Sequence, residues 1–105
     1  MSKLLLEKYK DIKNEKLNKI LEKIELEPIF LNQKRLLSES EVIDYKNELK
    51  INDDNIIVLV DCFDNEFLIF DISDNNFKMY SIDDNFIYNS KSIALILKEL
   101  IENEI

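Results

Sequence analysis

Histidine and glycine are both missing from this chain of 105 residues, which also has no tryptophan, one proline and one cysteine. Without histidine there is no imidazole to act as a general base, to complete a Ser–His–Asp or Cys–His arrangement, or to ligate a metal in the commonest way. Without glycine, of which an average chain of this length has about seven, no phosphate-cradling loop or dinucleotide turn of the glycine-rich kind can be built. Turns that need positive φ therefore fall to asparagine and aspartate, the next most tolerant residues. A lone Cys62 makes no internal disulfide, and with no secretory context the expected compartment is the reducing cytosol. No apolar run approaches the ~18 residues that span a bilayer. The opening "MSKLLLEKYK" has three leucines before charges resume, and does not read as a signal peptide. At 46% apolar residues, the chain is expected to fold as a single domain over residues 1–105.

Positive charge is scarce in one half only. Residues 1–50 hold eleven Lys and Arg against ten Asp and Glu, a net of +1. Residues 51–105 hold three Lys against twelve Asp and Glu, a net of −9, which gives the overall −8. Direct binding of nucleic acid needs basic contacts to phosphate, so the acidic half disfavours it. A basic protein surface would instead be steered toward it.

Apolar residues recur at helical spacing over roughly 3–25 (Leu5, Tyr9, Ile12, Leu17, Ile20, Leu21 and Ile24), with Asn14 able to split the segment and Pro28 expected to end it. Short strands are expected around Ile29–Leu31 and Arg35–Leu37. "SESE" at 38–41 is a capping box, in which Ser38 and Glu41 satisfy each other's amides, and it predicts a helix over 39–50. "NIIVLV" (55–60) is apolar on both faces and reads as a central strand. "FLIFDI" (67–72), "FKMYSI" (77–82) and "FIY" (86–88) follow across Asx-rich turns, and a last helix is expected over 91–102. No internal repeat, linker or low-complexity tail is expected. The fold class is α+β, an antiparallel β-meander sheet packed by N-terminal, middle and C-terminal helices.

The stretch "DCFDNEFLIFD" (61–71) gathers Asp61, Asp64, Glu66 and Asp71 around aromatic and aliphatic residues. Its oxygen donors suit Ca²⁺ or Mg²⁺, yet Phe63 stands where a ligand is wanted and the calcium-loop register is absent, so no metal site and no cofactor are expected. Cys62 beside Asp61 and Asp64 is a poor nucleophile, because the acids raise a thiol pKa. Catalysis is therefore not expected, and neither is a membrane partner. Aromatic anchors inside a charged rim are the usual composition of a protein interface. On that basis Asp61, Asp64 and Glu66 are expected exposed on the loop joining two strands, with Phe63 as an apolar anchor. Asp74, Asp83 and Asp84 form an outer rim, and Tyr80 is a further partner-binding aromatic beside Phe86 and Tyr88. The expected partner is a basic protein surface, such as that of a nuclease or toxin.

"LLSESEV" (36–42), "IIVLV" running into "DCFDNE", then "FLIFD" and "FKMY" with a closing helix, resemble the SUKH superfamily of small α+β domains over roughly residues 34–101. The resemblance implies a non-enzymatic immunity protein that neutralises a secreted nuclease by occupying its basic surface. Two alternatives share the chemistry of a small acidic binder. One is an anti-CRISPR protein of phage or mobile-element origin that blocks the nucleic-acid channel of an effector nuclease; the other is a scaffold or assembly module.

Overall fold

The computed structural model describes residues 3–102. In chain order it contains α1 (Lys3–Lys8), α2 (Glu15–Lys23), β1 (Ile29–Leu31), β2 (Lys34–Leu36), α3 (Glu39–Glu48), β3 (Ile56–Asp61), β4 (Glu66–Asp71), β5 (Asn76–Ser81), β6 (Phe86–Tyr88) and α4 (Ser92–Glu102). Asn14 does split the first helical segment: its side chain caps α2 by accepting from the Leu17 amide at 3.0 Å. Pro28 does not end α2, which stops at Lys23. Fully buried Ile24 takes extended backbone there and turns the chain into the core ahead of the proline. The capping box of α3 forms as expected, with Ser38 and Glu41 bonded reciprocally.

The six strands make one antiparallel sheet in sequence order, β1-β2-β3-β4-β5-β6, so the meander runs unbroken even though α3 interrupts the chain between β2 and β3. Its three long strands follow a ten-residue period. Asp-Asn recurs every ten residues, at 54–55, 64–65, 74–75 and 84–85. Each period is six residues of strand and four of turn. Asn65, Asn75 and Asn85 close their turns with φ of 59°, 51° and 52°, the left-handed conformation that glycine ordinarily takes. The chain thus does contain an internal repeat, carried by turn chemistry and blurred by the changing strand residues.

Helices cover both faces of this sheet. The pairs Phe67↔Tyr80 and Ile69↔Lys78 lie on one face, and Leu68↔Met79 and Phe70↔Phe77 on the other. α3 covers the first face: the Tyr45 ring meets Phe67 edge-on at 5.2 Å, and the Leu49 carbonyl lies 3.4 Å from the Tyr80 hydroxyl. On the second face α4 packs on β5, α2 on α4 and α1 on α2. This explains why residues 56–60 of β3 are all buried without alternation. It also corrects the expectation for Tyr80, which is 4% exposed. Alternation assigns Tyr80 to the face opposite Met79, but that face is roofed by α3, and the hydroxyl is held 2.6 Å from Asn85 Oδ1.

α3 ends in a double-bonded turn: the Lys50 amide donates to the Asn47 carbonyl at 3.1 Å and the Ile51 amide to the Lys46 carbonyl at 3.0 Å. Such an end needs a left-handed residue, and here Lys50 supplies it at φ 58°. A Cβ in that conformation costs about 1–2 kcal/mol, partly offset by the greater chain entropy that glycine brings to the unfolded state. Lys50→Gly is expected to stabilise the fold by about 0.5–1 kcal/mol, whereas Ala94→Gly within α4 should cost roughly 1 kcal/mol. Thermal denaturation of the two variants should move in opposite directions; a Lys50→Gly melt below the parent rules out this helix end.

Candidate functional site

A ten-residue period in an antiparallel meander sends successive turns to opposite ends of the sheet. Turns 62–65 and 82–85 therefore share one end, and residues 53–55 and 72–75 share the other. At each end the neighbouring segments are tied by the same bond, Ile82 N–H to the Asn65 carbonyl and Ile72 N–H to the Asn55 carbonyl, both 2.8 Å. Asn65 Nδ2 also donates to Asp83 Oδ1 at 3.3 Å, which fixes the first pair of turns against each other. The residues expected to form one surface are consequently separated. Asp74 stands at the far end from Asp64, Asp83 and Asp84, a strand length of about 17–20 Å away.

Two acids expected on the exposed loop belong to strands instead. Asp61 is the last residue of β3, paired across the ladder with Arg35, and its side chain is only 15% exposed. Its Oδ2 lies 3.5 Å from Arg35 Nη2, while Oδ1 accepts from the Phe63 amide at 2.8 Å. Arg35 Nη1 donates to Glu41 Oε2 at 2.5 Å, and the guanidinium sits 6.0 Å from the Tyr45 ring centroid. Burial raises the Glu41 pKa, but bonds from the Ser38 amide and Arg35 outweigh it and hold the carboxyl below its ordinary value. Asp61 is therefore a structural acid in a partly buried cluster joining β2, α3 and β3. Glu66 opens β4 and accepts from the Tyr88 hydroxyl.

Cations occupy several acids elsewhere. Lys78 binds both Asp71, at 3.0 Å, and Asp74, while Lys46 lies 3.4 Å from Asp54. Asp64, Asp83 and Asp84 differ. They are exposed, and among the described residues no lysine or arginine lies within ion-pair distance of any of them. Phe63 is 52% exposed in the same turn as Asp64, and Ile82 and Phe86 add exposed apolar surface in and beside the 82–85 turn. Phe63 is also strained: φ 68° is an outlier for a bulky residue. Backbone strain of this kind clusters where a site needs a side chain held in place. Sequence reasoning selected Phe63, Asp64, Asp83, Asp84 and Phe86 but missed Ile82, which looks like the inner end of a strand until the ten-residue period places it in a turn.

Cys62 is half-buried, and its thiol is pushed up to about 11. Burial is the main cause, with Asp61 and Glu66 adding to it, so the mechanism is more desolvation than the adjacent charge the sequence pointed to. Between α4 and the 62–65 turn lies a cleft of about 240 Å³, lined among others by Lys34, Cys62, Asp64, Glu66, Leu95 and Glu99. Among the described residues no group of three or more Cys, Asp and Glu side chains is placed to hold a metal ion. No described helix is long and apolar enough to cross a membrane.

Neutralising Asp61 and Asp64 should separate the structural acid from the free one. Asp61→Asn is expected to cost about 1.5–3 kcal/mol, the range for a hydrogen bond to a charged group, and Asp64→Asn to stay within roughly 0.5 kcal/mol of the parent. Equal effects in urea denaturation would put Asp61 back on the loop. Because the folded pKa of Glu41 is depressed, its contribution is full above the ordinary glutamate value of about 4.3 and is lost as pH falls through the folded value. Glu41→Gln should therefore be less stable than the parent at neutral pH, and its stability should fall less steeply on acidification below about pH 4.3.

Comparison with family models, with curated proteins and with solved structures finds no match to this chain, so the function of this end of the molecule rests on the chemistry of its own residues.

Proposed function

We propose that this chain is a non-enzymatic inhibitor that acts in the cytosol by covering the basic surface of a nuclease, in the manner the SUKH resemblance implies for immunity proteins. The observation that carries this reading is the contrast between the two ends of the sheet. At one end Asp71 and Asp74 are occupied by Lys78 and Asp54 lies 3.4 Å from Lys46, which leaves Asp53 there without an ion pair among the described residues. At the other, Asp64, Asp83 and Asp84 share the sheet end with an exposed, strained Phe63 and have no cationic partner among the described residues. Carboxylates without a cationic partner attract a cationic surface over about a Debye length and meet its lysines and arginines without first displacing a resident cation. An exposed apolar residue at the same end supplies the contact that must be desolvated for long residence. The SUKH resemblance over residues 34–101 names the class of target, and the net charge of −8 supports a basic one. A thiol held near 11 and the absence of histidine leave this end without an activated nucleophile or an imidazole base, which supports binding over catalysis.

Charged rims mainly set association rate and salt dependence, whereas a central anchor mainly sets dissociation. With the nuclease captured from the native host, stopped-flow kinetics should show slower association and a flatter salt dependence for the triple variant Asp64→Lys, Asp83→Lys and Asp84→Lys. Asp74→Lys, at the far end, should associate like the parent. Phe63→Ala should dissociate faster by an amount equivalent to about 1–3 kcal/mol. Phe63→Gly should do the same while melting at a higher temperature than Phe63→Ala, since it releases the left-handed strain. Parent-like kinetics for both the triple variant and Phe63→Ala would reduce the turns to a solvated rim and end the proposal.

A further inference from the structure

Three lysines meet on the other side of α4. A groove of about 520 Å³ between α2 and α4 is lined by Lys16, Lys19 and Lys98 against the single acid Glu102, around Ala94, Leu97 and Ile101. Among the described residues neither Lys16 nor Lys98 has an acidic partner within ion-pair distance, and Lys19 reaches only Glu15, at 3.8 Å with both side chains largely exposed. A groove with an apolar lining and unpaired ammonium groups is the complement of a surface that combines exposed apolar side chains with carboxylates lacking a cationic partner. The molecule presents that complement itself, in Phe63 and Phe86 with Asp64, Asp83 and Asp84 at the sheet end. The two surfaces share no residue.

From this we infer that the acidic sheet end of one copy docks into the α2–α4 groove of a second copy. The contact is head-to-tail and not two-fold, because different patches meet, so a pair of copies keeps one free patch of each kind, one on each copy, and assembly continues into open chains or rings. The net charge of −8 opposes it at long range. At physiological ionic strength, however, a Debye length of about 8 Å leaves only the charges at the contact to act. Self-association is therefore weak, strongest near physiological salt, and reduced both in very dilute salt and at about 1 M, where the Debye length is about 3 Å. It also hides the sheet end, so any partner that binds there competes with assembly.

Sedimentation velocity tests the pairing directly. The average mass of the parent should rise with protein concentration near physiological salt and return to that of the monomer at about 1 M salt. A groove variant, Lys16→Glu with Lys98→Glu, and a sheet-end variant, Asp64→Lys with Asp84→Lys, should each stay monomeric. Mixed together they should associate again, because the acidic end of one meets the intact groove of the other and the reversed end likewise complements the reversed groove. The milder pair Lys16→Gln and Lys98→Gln should also weaken assembly, which guards against a charge reversal that disturbs folding; far-ultraviolet circular dichroism checks each variant. A parent that is monomeric at every concentration, a mixture that gives no complex, or a groove variant that assembles like the parent overturns the inference. So does a monomeric parent that binds vesicles containing phosphatidylserine through Lys16 and Lys98. Nuclease binding by the groove variant is a separate readout, unchanged if only the self-association fails.

Discussion

Everything in this sheet depends on reversing the chain without glycine. Four residues are enough for the reversal only if one of them takes the left-handed conformation, and Asn65, Asn75 and Asn85 take it at the same place in each turn. Asparagine tolerates that region because its short polar side chain bonds locally. Here the side chains also do longer-range work: Asn65 reaches Asp83, Asn75 reaches the Lys13 carbonyl, and Asn85 accepts from Tyr80. The turn residues thereby lock neighbouring turns and helices as well as their own strands. Six-residue strands between them give the ten-residue period, and the period decides which acids share an end.

That geometry divides the acids into two kinds. Asp61, Glu41 and Arg35 join β2, α3 and β3 in a partly buried cluster, and Lys78 gathers Asp71 and Asp74. Such acids are already held by cations, and drawing them to a partner would require breaking those pairs. Asp64, Asp83 and Asp84 carry no such obligation. A cationic group could approach them without displacing a resident cation, and the left-handed Phe63 stands in the same turn as Asp64. A groove rich in unpaired lysine on α2 and α4 gives the molecule a second, opposite polarity despite its acidic total.

Much of this was legible in the residues. "SESE" announced the capped helix, the β-branched run at 55–60 announced a strand covered on both faces, and Asn14 marked the break between α1 and α2. These features depend on neighbours a few residues apart, where hydrogen-bond geometry and hydrophobic periodicity act without reference to the rest of the chain. Tyr80 shows where that stops: alternation assigned its face correctly, but only the placement of α3 over that face made it a core residue. Pro28 was likewise overruled by the burial of Ile24.

What the sequence by itself determined is the set of elements, their order, the turn residues and the sign of the charge, because each follows from local sterics, periodicity or counting. Which carboxylates are free was decided only by the tertiary structure. Asp61 and Asp64 are three residues apart and chemically identical, yet cross-strand pairing sets Arg35 beside one, while among the described residues no cation lies within ion-pair distance of the other. Likewise Asp74 and Asp84 occupy the same place in the repeat, and antiparallel folding carries them to opposite ends. Strand register and chain direction are collective properties of the sheet, and they assign one aspartate to stability and its neighbour to the surface.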